Sequence, residues 1–331
     1  MESNRTSKFF TRREVLLAAA GLGGAALAAR FFPASIVHAA AGWPQQGAPA
    51  DQIAAMRAQF GGAPIQAQPL TDSITMLSGP GGNVVVLNGA DGKLIGDNFV
   101  MPAWPHLREA LDNIGKAPLK TAVDTHWHFD HADNNAAVRG AGATLIAHEN
   151  TKKRMSETHT LPVLNLTFPP SPTSALPQQT FPQKHKVMMN GETVSLVHVA
   201  PAHTDTDVYL HFEKANVLQT GDVFFNGIYP YIDSGTGGSV SGMIAGAGKL
   251  LAVADNNTKI VPGHGALGTK ADLTKYREML MTVRERLQKL KTSGKSAQEA
   301  VAAKPLDDLE PVWGKGLFNS DTFIQIAYPA L

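Results

Sequence analysis

Apolar and polar positions along the chain fall into two rounds, each of short strands followed by helices. Apolar runs at 74–77, 83–87 and 93–97 are parted by Gly79-Pro80-Gly81-Gly82 and Gly89-Ala90-Asp91-Gly92. Clusters of that kind supply tight turns, so the three runs predict antiparallel strands. Leu107, Leu111 and Ile114 then recur at helical spacing over 104–114, and a strand over 119–125 follows. A helix over 133–139, a strand at 144–147 and a helix opening near Glu149 continue the alternation. The second round has strands at 187–189, 193–199, 208–212 and 217–220, a helix over roughly 239–254, a strand at 259–261 and helix from about Lys270 onward. Two such blocks predict an α/β chain folded as one layered sandwich.

Two stretches stand outside this pattern. Residues 40–69 are rich in Ala, Gln, Gly and Pro, with one helical pattern at Ile53, Met56 and Phe60, and read as an extension packed on a body spanning 70–331. Residues 161–182 carry six prolines and little periodicity, too long for an ordinary connector. They read either as a lid over a site or as an inert surface loop.

Hydrophobic residues make up 43% and charged residues 17% of the 331, a balance that supports a full core. Residues 1–39 hold five basic and two acidic side chains, so the chain's +1 less that segment's +3 leaves a body of −2. A mildly acidic body argues against nucleic acid as a partner. Arg12-Arg13 precede an apolar run from Val15 to Ala29, and Val37-His38-Ala39 offers small residues for a signal peptidase. This reads as a twin-arginine signal over 1–39, cleaved after Ala39, that would hand the protein to the twin-arginine translocase for the periplasm or beyond. The run falls short of the roughly 20 residues of a membrane span, so no stable span is expected in the mature form; an uncleaved anchor is the alternative.

Cysteine is absent, which removes disulfides and any thiolate nucleophile or ligand. A metal here must sit on histidine and carboxylate, a set suited to zinc and also to manganese or iron. Thr125-His126-Trp127-His128-Phe129-Asp130-His131 packs four such side chains into six residues. In an extended loop alternate residues project the same way, so His126 and His128 can grip one ion while Asp130 and His131, past the bend, face a second. His203, Asp222 and His264 each follow a predicted strand, in Pro201-Ala202-His203-Thr204, Thr220-Gly221-Asp222 and Val261-Pro262-Gly263-His264-Gly265. Strand-to-loop junctions are where α/β folds mount reactive side chains.

These segments, in this order, resemble the metal-binding motifs of the metallo-β-lactamase superfamily over roughly 74–265. The resemblance implies an αββα sandwich with two divalent ions, zinc first among them, at one edge. It implies that His126, His128 and His203 hold one ion, that Asp130, His131 and His264 hold the other, and that Asp222 bridges both. A bridging aspartate, with no cysteine ligand, is closer to the glyoxalase II and lactonase branch than to true β-lactamases. Ala132-Asp133-Asn134-Asn135 departs from glyoxalase II, which usually shows glycines there.

The chemistry implied is hydrolysis of an ester, lactone, lactam or thioester by a metal-bridging hydroxide, the ions lowering a water's pKa from 15.7 toward roughly 7. Asp130 and Asp222, the carboxylates expected to take part in catalysis, also moderate the charge of the ions. Thr125, Thr204, Asp205 and Asp207 are candidates to orient the ligand imidazoles. Tyr229 and Tyr231 either line a small-molecule pocket or pack under a loop. His148, His159, His185, His198 and His211 match no motif and read as packed or surface histidines. Two other readings stay open: a single iron in the three-histidine site, as in persulfide dioxygenases of similar fold, and an exported accessory protein whose metal is not catalytic.

Overall fold

The computed structural model describes residues 49–331, with side chains from Gln52 onward. The twin-arginine motif and the expected cleavage site lie outside the described residues. After helix α1 (Pro49–Gly61) come β1 (Gln66–Pro69), β2 (Ile74–Ser78), β3 (Asn83–Gly89) and β4 (Gly92–Gly96), antiparallel neighbours of which the last three are joined by the predicted glycine turns. Helix α2 (Trp104–Ile114) crosses over to β5 (Leu119–Val123), parallel to β4. Helices α3 (Phe129–Ala132) and α4 (Asn135–Gly140) lead to β6 (Thr144–His148), and α5 (Glu149–Met155) follows. A hairpin of β7 (His159–Leu161) and β8 (Leu166–Phe168) precedes β9 (Gln179–Phe181), which closes a seven-stranded sheet of order β1-β2-β3-β4-β5-β6-β9.

The second sheet has order β10 (Lys184–Met189), β11 (Glu192–His198), β12 (Val208–Phe212), β13 (Val217–Gln219) and β14 (Lys259–Val261). Helix α6 (Val240–Val253) makes the crossover between the parallel strands β13 and β14. Four helices complete the described chain: α7 (Lys270–Thr292), α8 (Ala297–Ala302), α9 (Glu310–Trp313) and α10 (Ser320–Ala327).

Because side chains alternate along a strand, β3 sends Val85 and Leu87 to one face and Val84 and Val86 to the other, all of them buried. The first pair meets Leu196, Leu210 and Phe212 of the opposite sheet. The second pair meets Leu107 and Leu111 of α2. Behind the second sheet, Leu218 and Ile260 pack with Met243 and Leu250 of α6 and with Leu273 and Leu280 of α7. Two central sheets with helices on both outer faces make the expected αββα sandwich. Strands covered on both faces read as unbroken apolar runs, which is the pattern of 74–77 and 83–87. Among the described residues no helix is long and apolar enough to cross a membrane.

Three local expectations change. The helix expected over 133–139 starts two residues later, as α4, and is parted from α3 at Asp133 and Asn134, because tertiary partners claim both side chains. Asp133 takes Arg57 Nε at 2.7 Å, and Asn134 Nδ2 donates to the carbonyls of Asn98 and Val100. The proline-rich stretch is ordered by the β7–β8 hairpin, two 3-10 turns and β9, and buries Leu161, Leu166 and Phe168. Gln66–Pro69, inside the segment read as an extension, adds the edge strand beside β2.

Candidate metal centre

The ends of β5, β11, β13 and β14 converge on one edge of the sandwich, and each delivers ligand-type side chains there. β5 runs into a buried loop, Asp124-Thr125-His126-Trp127-His128, and α3 starts at Phe129. His203 follows β11, Asp222 lies in the 3-10 turn Gly221–Val223 after β13, and His264 follows β14. The seven predicted residues form two donor groups. His126, His128, His203 and Asp222 make one, and Asp130, His131 and His264 the other, with the ligand atoms of each group within 4.8 Å of one another. Asp222 faces both groups: its Oδ1 is 3.1 Å from His131 Nε2, and its Oδ2 is 3.5 Å from His203 Nε2 and from His264 Nε2.

The rings are turned by bonds on their outer nitrogens. Thr125 Oγ1 lies 3.0 Å from His126 Nδ1, Asp233 Oδ2 3.1 Å from His128 Nε2, Asp97 Oδ2 2.9 Å from His131 Nδ1, and the Tyr231 carbonyl 2.9 Å from His203 Nδ1. An outer acceptor fixes the tautomer and leaves the inner lone pair for an ion. The inner atoms face one another without adequate partners. His128 Nδ1 and His203 Nε2 stand 2.8 Å apart, while buried His126 Nε2 and Asp222 Oδ1 have no hydrogen-bond partner. An unpaired buried polar atom costs about 1–3 kcal/mol, and lone pairs converging in this way suit divalent cations. The residues therefore fit two ions held by nitrogen and oxygen.

Proton affinities within the cluster are pulled apart in opposite directions. Burial pushes the His126 ring well below its ordinary value, helped by the neighbouring His131, and burial lowers His203 to about 4. Burial also opposes charge on His131 and His264, yet the carboxylates beside them outweigh it: Asp222, Asp130 and Asp97 raise His131 well above its usual range, and Asp222 and Asp130 raise His264 to about 9. Asp222 is held well below the carboxylate range, because the surrounding histidines overcome its burial. Two carboxylates among buried rings demand compensating positive charge, which a divalent ion supplies without a proton.

Of the four residues read as imidazole-orienting, Thr125 takes that place. Asp207 instead accepts from the backbone N–H groups of His203 and Thr204, Thr204 Oγ1 donates to Asp207, and Asp205 binds Arg154, so these three brace the His203 loop. Sequence reasoning missed Asp97 and Asp233. It also missed Asn83, whose Nδ2 donates to the carbonyls of Pro262 and Gly265 and so holds the His264 loop. Two glycines are required by close approach: a Cβ on Gly82 would overlap the His131 ring, and one on Gly263 would overlap Asp222 Oδ1.

A cavity opens on the centre, walled by His128, Asp130, His203, Asp222 and His264 on one side and by apolar side chains on the other. Tyr229 and Tyr231 both line it; Tyr229 also stacks on Phe323 at 4.4 Å, and Tyr231 lies 6.0 Å from the His128 ring. The unmatched histidines stay outside the cluster. His148 and His198 stack on each other at 3.8 Å, His159 packs beside Trp127, His185 meets Gln179, and His211 lies on β12.

The family model described as metallo-beta-lactamase superfamily matches residues 77–264, more than half of the chain. The chain belongs to that superfamily. The matched range runs from β2 through His264 and contains all seven ligand-type residues. The acyl-coenzyme A thioesterase MBLAC2 of Gallus gallus is 27% identical over 168 residues, which are 46% of this chain and 58% of that protein. Solved superfamily structures share the fold. A metallo-beta-lactamase from Pontibacter korlensis aligns with TM-score 0.54 at 17% identity, over 66% of this chain and 99% of its own. The B3 metallo-beta-lactamase BLEG-1 aligns with TM-score 0.52 at 23% identity, over 65% and 99%.

Proposed function

We propose that this superfamily member is an exported hydrolase that cleaves an ester, lactone, lactam or thioester with two divalent ions, preferentially zinc. The observation that carries the reading is the pair of donor groups sharing Asp222, with the rings of His126, His128, His131 and His203 each held by an outer bond. The second group, Asp130, His131 and His264, favours two ions over a single iron. A curated thioesterase relative supports carbonyl hydrolysis as the reaction class.

The ions, when bound, supply a water of lowered pKa and a Lewis acid for the carbonyl oxygen. The chain's own residues set the rest. Asp222 spaces the two groups through its two oxygens. His126, His128 and His203 present lone pairs whose direction Thr125, Asp233 and the Tyr231 carbonyl fix. Asp130 is the more exposed carboxylate at 18% of its side chain and lines the cavity, so its carboxylate, beyond the oxygen that faces His264, is placed to take a proton from water and return it to the leaving atom. Export rests on Arg12-Arg13 and the apolar run behind them. Replacing both arginines with lysine and fractionating cells tests that part, with retention in the cytoplasm expected.

The decisive assay takes the zinc-loaded protein through a panel of esters, lactones, lactams and thioesters. Turnover of at least one class, lost to a chelator and restored by zinc, is expected. Two bound ions with no turnover across the panel would favour an accessory role, and one iron per chain would favour oxygen chemistry.

A further inference from the structure

We infer that the cavity selects an uncharged substrate with a short apolar acyl group, through a roof that α1 and the C-terminal segment add to the superfamily core. This rests on the hydrolase reading above. Three separated stretches each contribute two side chains to the roof: Met56 and Phe60 from α1, Leu161 and Leu164 from β7 and the turn after it, and Leu317 and Phe318 from the segment between α9 and α10. Met56 and Phe60 stand four residues apart, on one face of their helix. The superfamily match covers 77–264, so the first and last pairs lie outside it. The fold that carries the ligands is shared; two of the roof's three pairs come from what flanks it.

Charge sharpens the inference. Among the described residues no lysine or arginine lines the cavity. Arg57, on the roofing helix itself, turns to Asp133, which its Nε and Nη2 meet at 2.7 and 2.5 Å. Arg154 is likewise held by Asp205. An anionic group lying along the roof would leave water for methionine, phenylalanine and leucine with no partner, whereas an alkyl group gains by the same transfer. The cavity is open to solvent and offers about 80 Å³. An apolar cavity of about 150 Å³ takes a benzene ring, so acyl chains beyond a few carbons outgrow the roofed space and must displace the roof or run out into water.

The test compares phenyl esters of 4-methylpentanoic and succinic acids, near-isosteres of which only the second carries a terminal carboxylate, together with acetyl, butanoyl and decanoyl esters. On the zinc-loaded protein we expect kcat/KM about 30-fold or more in favour of the 4-methylpentanoyl over the succinyl ester, and butanoyl above decanoyl. Phe60→Ala and Phe318→Ala should raise the decanoyl ester relative to butanoyl, and Phe60→Arg should narrow the gap to succinyl. Calorimetry with the ketone analogues, CH2 replacing the ester oxygen, reads the same preference on the wild-type protein without turnover. Neutral and anionic ketones bound within threefold of each other, or a chain-length profile unmoved by both alanine variants, would overturn the inference. Preferential binding of the neutral ketone with no ester cleaved, and no lactone, lactam or thioester cleaved either, would support the selectivity and overturn the hydrolase reading instead.

Discussion

His128 places its Nε2 3.1 Å from Asp233 Oδ2 while its Nδ1 stands 2.8 Å from His203 Nε2. With the proton on the carboxylate side, Nδ1 is the lone pair left for an ion. Asp233 also accepts from Thr236 Oγ1 and from the Gly235 amide, and its own N–H donates to the His203 carbonyl, so one short segment braces two ligands. Asp233→Ala should weaken metal binding about 10–100-fold, and Asp233→Asn, which keeps an acceptor, should weaken it less. Competition with a chromophoric chelator measures this; unchanged affinity in the alanine variant would sever Asp233 from the centre.

Gly263 has no room for a side chain, because the first carbon would collide with Asp222 Oδ1 and with the Gly221 backbone. Gly263→Ala should therefore displace Asp222, lower metal content and depress Tm, an overpacking effect of about 1–3 kcal/mol. Gly62→Ala, where nothing lies within 4 Å, is the matched control. Equal metal content and equal melting in the two variants would mean that the Asp222 turn tolerates displacement.

How much of this was legible in the chain depends on sequence separation. His126, His128, Asp130 and His131 announce themselves because they are adjacent, and the strand-end positions of His203, Asp222 and His264 follow from the apolar runs before them. Asp97 and Asp233 carry no such signal. Asp97 reaches His131 from 34 positions away and Asp233 reaches His128 from 105, and Asp97 has a left-handed backbone, φ 66°, that no pattern in 93–97 suggests. Most strands of the two sheets were readable as short apolar runs between turn residues. The break at Asp133 was not, since it arises from an arginine 76 residues upstream. The roof was half visible: Met56 and Phe60 gave a helical face, but nothing local says which cavity that face covers.

Stability should fall on the acid side through the stacked pair His148 and His198, which joins the ends of β6 and β11. Burial lowers His148 against the pull of its bond to the Pro182 carbonyl, and burial followed by the nearness of His148 lowers His198. Their folded pKa values lie beneath the unfolded value of about 6.5, so below that pH the unfolded chain binds more protons and stability is lost as pH falls. Around them, Glu149 and Asp205 favour the charged forms and Lys249 opposes it at His198. Melting of the zinc-saturated protein between pH 8 and 5.5 should therefore drop more steeply in wild type than in His198→Gln. Identical slopes would remove the pair from the acid response.

The proposed dinuclear centre is tested most directly by counting ions per chain in purified wild type and three variants by mass spectrometry of the elements. Two ions in wild type, about one in His128→Ala and in His264→Ala, and two in His185→Ala are predicted. A single ion in wild type, or a loss in His185→Ala equal to that in His128→Ala, would contradict the assignment of the seven ligands.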